Sequence, residues 1–261
     1  MSHTTRSLLP NETPRLSSIY RPVPWKHNVT VAKYRNDIHH FSHLICNEQK
    51  PWTLSVTRLT SCLLCCALIS WSVCVTSNKA EWPLYYTHWI LVLTLAMFLF
   101  GFIASLQGLR RRLKIIEFEV LPRYVSVFWV LYSATSTMSV LITLMHYFMY
   151  KYEQKSFSEL PIDVIINLCN TILIMIEVCI SSVPVFAVHI YLPLGLGLLY
   201  IIFALGYYSL TGVIIYEVLD VNIQMQTFAW IVILFVLSVV IYMLLWLGYT
   251  IKTKTVRSQD V

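Results

Sequence analysis

Charge is what this sequence has least of. Only 12% of its 261 residues are Asp, Glu, Lys or Arg, whereas 57% are hydrophobic. A soluble domain of this length carries about twice that charged fraction. The scarcity of charge argues against a water-soluble catalytic domain over most of the chain, and it predicts a protein that is integral to a membrane.

Patterns that could bind a metal are weak, and a pattern that would bind nucleic acid is missing. Six of the seven cysteines lie in apolar runs, where cysteine commonly serves as a small apolar filler. The pair Cys62-x-x-Cys65 would point its two thiols in different directions on a membrane helix. No metal and no other cofactor are therefore predicted. Basic residues are not interleaved with aromatic residues on which bases could stack, so nucleic acid is not expected as a partner.

Apolar residues come in runs of about twenty, the length that crosses the hydrocarbon core of a bilayer. The runs are Leu59–Asn78, Pro83–Leu106, Tyr124–Phe148, Ile162–Val183, Tyr191–Thr211 and Gln226–Ile251. The fourth and fifth are the least clearly separated, because few polar residues lie between them. We therefore predict an all-α, polytopic transmembrane helix bundle of about six spans.

Lys and Arg are unequally divided between the two sides of this bundle. Sixteen of the nineteen fall in the N-terminal tail, the loop between spans two and three, and the C-terminal tail. Positive residues stay cytosolic, so both termini are predicted to be cytosolic. The organisation that follows is a tail over 1–52, a bundle over 53–251 and a second tail over 252–261. Apolar residues at helical spacing also predict an interfacial helix from Tyr34 to Cys46.

Four polar residues share one face of the fourth span. They are Asp163, Asn167, Asn170 and Glu177, at intervals of four, three and seven residues. An ionisable side chain at the centre of a membrane helix costs about 2.5–3.5 kcal/mol on insertion scales. The face is therefore predicted to turn into the bundle. Glu177 is predicted to pair with Arg58, or with the basic loop, near the cytosolic side.

The second and third spans carry small or polar faces of the same period. In the third span this face includes Tyr132, Ser136 and His146. Such faces let membrane helices approach closely and form hydrogen bonds with one another. Spans two, three and four are therefore predicted to be mutual neighbours, with Tyr132, Ser136, Asn170 and Glu177 in the interior of the bundle.

The predicted topology brings four of the polar residues to a similar depth at the outer end of the bundle. In one interpretation they form a hydrolase site, with Thr87 as nucleophile and His146 as base. Asp163 would then orient the imidazole and Asn167 would donate to an oxyanion. In the other interpretation they only join helices by hydrogen bonds, worth about 0.6 kcal/mol each. Spacing alone favours the second.

Several segments resemble a known family when they are taken in order. They are Tyr86-Thr87-His88-Trp89, Asn167 to Glu177, Ser182-Val-Pro-Val, His189 to Pro193, Gly197 to Phe203 and Tyr216 to Asp220. Over residues 84–221 the chain resembles the rolling stone family of multi-pass membrane proteins, which are implicated in myoblast fusion. The resemblance implies a six-span bundle that acts at cell contacts.

The same superfamily includes the androgen-induced membrane hydrolases, which cleave fatty-acid esters of hydroxy fatty acids with an intramembrane Thr and His. The resemblance maps that Thr onto Thr87 and that His onto Asn167, ten residues before Glu177. An amide cannot act as a general base. His146 or His88 would have to substitute, and His146 is favoured because His88 lies about 100° around the helix from Thr87.

These observations predict a rolling stone-type membrane protein without catalytic activity, acting at cell contacts or in membrane fusion. The first alternative is an intramembrane lipid-ester hydrolase centred on Thr87. The second is an ion or proton-coupled transporter, which the absence of inverted repeats disfavours. Expected partners are the lipid bilayer and either a lipid substrate or another membrane protein. The expected location is the plasma membrane or the endoplasmic reticulum.

Overall fold

The computed structural model describes residues 51–112, 123–152, 162–181, 183–216, 219 and 224–259. Within these ranges lie six long helices: α1 (Pro51–Val75), α2 (Tyr86–Arg112), α3 (Arg123–Tyr152), α4 (Ile162–Ile180), α5 (Tyr191–Thr211) and α6 (Gln224–Gln259). Short 3₁₀ turns at Trp82–Leu84 and Ala187–Ile190 precede α2 and α5. No strand occurs in this part of the chain.

All six helices are long and apolar enough to cross a membrane, which confirms the prediction of an all-α, multi-pass protein. The first span begins at Trp52, seven residues before its predicted start at Leu59. The polar residues just before Leu59 have partners inside the protein, because Thr57 donates to the carbonyl of Thr53 and Arg58 is buried in an ion pair with Glu177. Polar side chains satisfied in this way do not end the helix.

Helix α3 lies at the centre of the bundle. Of the 18 most apolar consecutive residues of α3, 72% are buried. In the corresponding stretches of the other five helices, between 17% and 44% of the residues are buried. It packs against α2, α4, α5 and α6, and α2 also contacts α4. The second, third and fourth spans are therefore mutual neighbours, as their matching faces predict.

The chain between α4 and α5 leaves the helical conformation while it remains inside the protein. Val183, Pro184 and Val185 are buried. Their neighbourhood is held by side chains of other helices, since Trp129 Nε1 donates to the Pro184 carbonyl and the Tyr242 hydroxyl to that of Phe186. Non-helical backbone inside a membrane protein needs such partners. This break separates the fourth and fifth spans.

The end of the bundle where α2 begins and α3 ends is here called the outer end, after the predicted orientation. That orientation stays a prediction. The interfacial helix predicted from Tyr34 to Cys46 lies outside the described residues. Helix α6 continues to Gln259, so its last turns belong to the predicted C-terminal tail.

Candidate functional site: an outer cavity and an inner ion pair

A cavity of about 390 Å³ opens among α2, α3, α5, α6 and the segment that follows α5. This volume falls in the range of small-ligand sites, roughly 300–1,000 Å³. The apolar part of its wall includes Met138, Leu141, Ile142, Met145, Ile201, Leu234 and Phe235. The polar part consists of Tyr86, Thr87, His146, Tyr200, Tyr216 and Ser238. Two of the four residues predicted for a hydrolase site, Thr87 and His146, thus line one cavity.

Thr87 and His146 line the same cavity from two different helices, α2 and α3. Thr87 lies in the first turn of α2 and is buried. His146 Nδ1 lies 3.0 Å from the Ile142 carbonyl, which can only accept, so Nδ1 carries the proton. The lone pair of a neutral imidazole is then on Nε2. Among the hydrogen bonds of the described residues, none joins Thr87 to His146.

Three tyrosines surround the polar end of the cavity. The ring of Tyr200 lies 4.5 Å from that of Tyr86 and 6.1 Å from that of Tyr216. The Tyr200 hydroxyl donates to the carbonyl of Leu84 over 2.8 Å. Burial raises the pKa of Tyr216 to about 12, although hydrogen bonding to the hydroxyl and backbone of Thr87 acts to lower it. These tyrosines were not among the predicted site residues.

His88, the other candidate base, is fully engaged in a circuit of its own. Its Nδ1 lies 2.5 Å from the Trp82 carbonyl and must donate to it, while Nε2 lies 3.0 Å from the Ser72 hydroxyl. The Trp82 indole donates to the same hydroxyl over 2.9 Å and stacks on the imidazole at 4.4 Å. The circuit joins the end of α1 to the start of α2. His88 therefore has a structural partner on each nitrogen.

Asp163 and Asn167 do not line the cavity. Asp163 is exposed, rather than turned inward as predicted. It is the second residue of α4, where a carboxylate can reach water and is stabilised by the positive end of the helix dipole. Asn167 is buried, but its amide donates to the carbonyl of Asp163 over 2.8 Å in its own helix. The predicted roles of orienting residue and oxyanion donor thus have no geometric support here.

The polar faces of α3 and α4 form a ladder of hydrogen bonds. The Thr171 hydroxyl lies 2.7 Å from each of the Ser139 and Thr143 hydroxyls. Asn170 Nδ2 donates to the Ser139 hydroxyl over 3.1 Å, and Thr143 donates to the Asn167 carbonyl. This part of the polar face joins two helices and offers no open site.

Two other residues predicted for the interior, Tyr132 and Ser136, are both 2% exposed. They lie on α3, and the Ser136 hydroxyl donates to the Tyr132 carbonyl over 2.6 Å. This bond stays within the helix. Ser136 therefore contributes to the packing of α3 without joining it to a neighbour.

The inner half of the bundle contains a buried ion pair. Arg58 of α1 and Glu177 of α4 are 0% and 1% exposed. Nε and Nη2 of Arg58 donate to Oε1 of Glu177 over 2.9 and 2.5 Å. Arg58 was one of the partners predicted for Glu177. The second carboxylate oxygen, Oε2, has no hydrogen-bond partner among the described residues.

Helix α2 completes the environment of the arginine. Nη1 of Arg58 donates to the Gly101 carbonyl over 3.0 Å and to the Ser105 hydroxyl over 2.5 Å. The guanidinium carbon lies 4.6 Å from the centre of the Phe128 ring, which suits a cation–π interaction. A Cβ atom at Gly101 would lie 2.8 Å from Phe128 and 3.3 Å from Arg58. A larger residue at position 101 would therefore force the Phe128 ring to move.

Comparison of the chain with known protein families, with curated proteins and with solved structures finds no match. The resemblance to the rolling stone family therefore stays a prediction.

Proposed function

We propose that this chain is a multi-pass membrane protein that binds a lipid in its outer cavity without cleaving it. We further propose that it acts at cell contacts or in membrane fusion, the role implied by its resemblance to the rolling stone family. The observation that carries the lipid-binding proposal is the cavity itself, which combines an apolar wall with a few polar groups. Small-molecule sites are typically built in this way.

The arrangement of the candidate bases supports binding without turnover. A nucleophile needs a base within about 2.6–3.2 Å, directly or through one water. Thr87 makes no such hydrogen bond with His146 in the described part of the chain, and both nitrogens of His88 are occupied. The amide of Asn167 cannot accept a proton, and it does not line the cavity.

Lipid binding can be tested with two matched glycine variants of α5. Gly197 lines the cavity, and its Cβ position is 4.0 Å from Met138 Cε, whereas a Cβ at Gly195 has no neighbour within 4 Å. Gly197→Leu therefore fills the cavity and Gly195→Leu does not. Purified protein in lipid nanodiscs would be labelled with a photoreactive diazirine analogue of methyl hexadecanoate.

We expect saturable labelling of the wild type and of Gly195→Leu, and a loss of at least about tenfold in Gly197→Leu, since the added side chain takes the volume of the ligand. Equal labelling of the two variants would contradict binding in this cavity. So would labelling of the wild type that does not saturate.

The cellular part of the proposal needs a separate experiment. Two populations of cells that express the chain would be mixed and scored for aggregation and for mixing of cytosolic markers. We expect both signals to exceed those of cells without the chain. A wild type at the level of the empty cells, with its surface expression verified, would contradict the proposed role at cell contacts.

A second candidate function is favoured by one observation, namely that Thr87 and His146 line the same cavity. In an intramembrane lipid-ester hydrolase, Thr87 would attack the ester carbonyl and His146 Nε2 would accept the proton. Nε2 is the nitrogen that the bond to Ile142 leaves with the lone pair.

Purified wild type, Thr87→Ala, His146→Ala and Asn167→His would be compared on fatty-acid esters of hydroxy fatty acids. Turnover that both alanine variants abolish would favour the hydrolase over the non-catalytic protein. Activity in Asn167→His alone would indicate a family site that lacks only its base. No turnover in any folded variant is the result that we expect if the protein only binds its lipid.

A further inference from the structure

Hydroxyl groups crowd the polar end of the outer cavity. The Tyr86 hydroxyl is buried and has no hydrogen-bond partner among the described residues. Buried polar atoms of this kind normally have a hydrogen-bond partner. The lack of a protein partner for the Tyr86 hydroxyl therefore points to a bound ligand or a water. The ring of Tyr216 is held 5.8 Å from Tyr85 and 6.1 Å from Tyr200, which fixes its phenol against the cavity.

The surroundings of Tyr216 make its hydroxyl a donor. Helix α2 begins at Tyr86, and the first N–H groups of a helix have no partner within it. Burial raises the pKa of Tyr216 to about 12, although the hydroxyl of Thr87 and the backbone of Thr87 and Tyr86 act to lower it by hydrogen bonding to the phenol oxygen. The phenol therefore stays protonated at physiological pH. The start of α2 donates toward its oxygen. A bound carbonyl, which can only accept, competes with the neighbouring hydroxyls of Thr87 and Tyr200 for its proton.

Among the described residues that line the cavity, none carries a permanent positive charge that could balance an anion. Its wall contains no Lys or Arg, and His146 is the one basic side chain among the described residues that line it. Transfer of an ionised group from water without a charged partner costs several kcal/mol. A wall of neutral donors instead matches an uncharged carbonyl oxygen, which only accepts.

We propose that Tyr216 selects the head group of the bound lipid by donating a hydrogen bond to the carbonyl oxygen of an uncharged, single-chain ester or ketone. This inference rests on the lipid-binding function proposed above. The chain of the ligand lies along the apolar wall formed by Met138, Leu141, Leu234 and Phe235. Tyr216 acts as a positioning residue and takes no part in bond cleavage.

The test separates head-group recognition from simple packing. Methyl hexadecanoate, hexadecanoate and hexadecane would each compete with the diazirine probe for the full chain in nanodiscs, at pH 7. The variants are Tyr216→Phe and, as a control, Tyr147→Phe. Tyr147 neighbours His146 in sequence but is 46% exposed and does not line the cavity.

In the wild type and Tyr147→Phe we expect the methyl ester to compete most strongly. In Tyr216→Phe, competition by the methyl ester should weaken by about tenfold, the factor expected for one lost hydrogen bond, and competition by hexadecane should not change. Equal weakening of the ester and hexadecane would overturn the inference, because the hydroxyl would then only support packing. Competition by the methyl ester that is the same in Tyr216→Phe and the wild type would overturn the inference as well. So would stronger competition by hexadecanoate than by the methyl ester in the wild type. Absence of saturable binding in the wild type would instead overturn the proposed function.

Discussion

At the scale of single residues, the pair formed by Arg58 and Glu177 has the largest energetic consequence. Both side chains are buried, and the arginine also holds a backbone carbonyl, a hydroxyl and an aromatic ring. A buried pair adds little net stability compared with apolar residues of the same size, but removal of one partner leaves an uncompensated charge. Their mutual dependence can be measured.

We expect Arg58→Met and Glu177→Met each to destabilise the protein by about 3–5 kcal/mol, and the double variant to lie closer to the wild type than either single variant. Thermal unfolding in detergent would give the four values of this double-mutant cycle. Arg123→Met is the control, because the Arg123 side chain is exposed. Strictly additive losses would contradict a direct pair.

A second residue-scale prediction concerns the hydroxyl shared by His88 and Trp82. Ser72→Ala removes it and leaves a ring nitrogen and an indole N–H without partners, which we expect to cost about 1–3 kcal/mol. Ser70→Ala removes an exposed hydroxyl that bonds only within its own helix, so it should change stability by less than about 0.5 kcal/mol. The melting temperatures of the two variants compare them directly, and equal values would contradict the circuit.

At the scale of the helices, hydroxyl ladders decide which faces meet. Thr171 is the hub between α3 and α4, since it bonds to two hydroxyls and to the carbonyl of Ser139. Each interhelical bond of this kind contributes about 0.6 kcal/mol on average and about 1.7 kcal/mol at most. Each hydrogen bond of the ladder thus contributes little to the stability, but several of them involve the single side chain of Thr171.

Replacing that hub should lower the stability measurably. Thr171→Val keeps the shape of the side chain and removes the hydroxyl, so we expect a loss of about 1–2 kcal/mol, or a melting temperature lower by roughly 2–8 °C. Ile172→Val is the neighbouring control, because Ile172 is 49% exposed and makes no part of the ladder. A melting temperature of Thr171→Val at or above that of the control would contradict the ladder.

The elements also indicate what sequence patterns can and cannot specify. The six spans could be predicted because apolar length alone specifies them, and Arg58 could be named because a buried Glu177 needs a cation. The circuit of His88 could not, since it depends on a turn at Trp82 that no periodicity encodes. The exposure of Asp163 was not predicted, because the spacing of polar residues along a helix does not show which of them lies at the end of the helix, in contact with water. The tyrosines of the cavity come from three separate segments of the chain, and their spacing in the sequence does not predict that they are in contact.

At the scale of the whole molecule, the predicted orientation is the point to test. Positive residues stay cytosolic, so epitope tags at both ends should bind antibody only after the membrane is permeabilised. An internal tag between residues 75 and 86, at the α1–α2 connection, should bind without permeabilisation if the chain resides in the plasma membrane. A terminal tag reached from outside intact cells would reverse the topology and place the cavity on the cytosolic side.

The separation of Arg58 from Glu177 along the chain also bears on synthesis. The two residues are 119 positions apart, so a ribosome that adds about 5–20 residues per second makes the carboxylate roughly 6–24 s after the arginine. During that interval the first span contains a guanidinium that has no counter-ion. A nascent fragment that ends before α4 should therefore integrate poorly and be cleared sooner than the complete chain. We expect the fourth span, when it emerges, to stabilise the first in the membrane by supplying the carboxylate of Glu177.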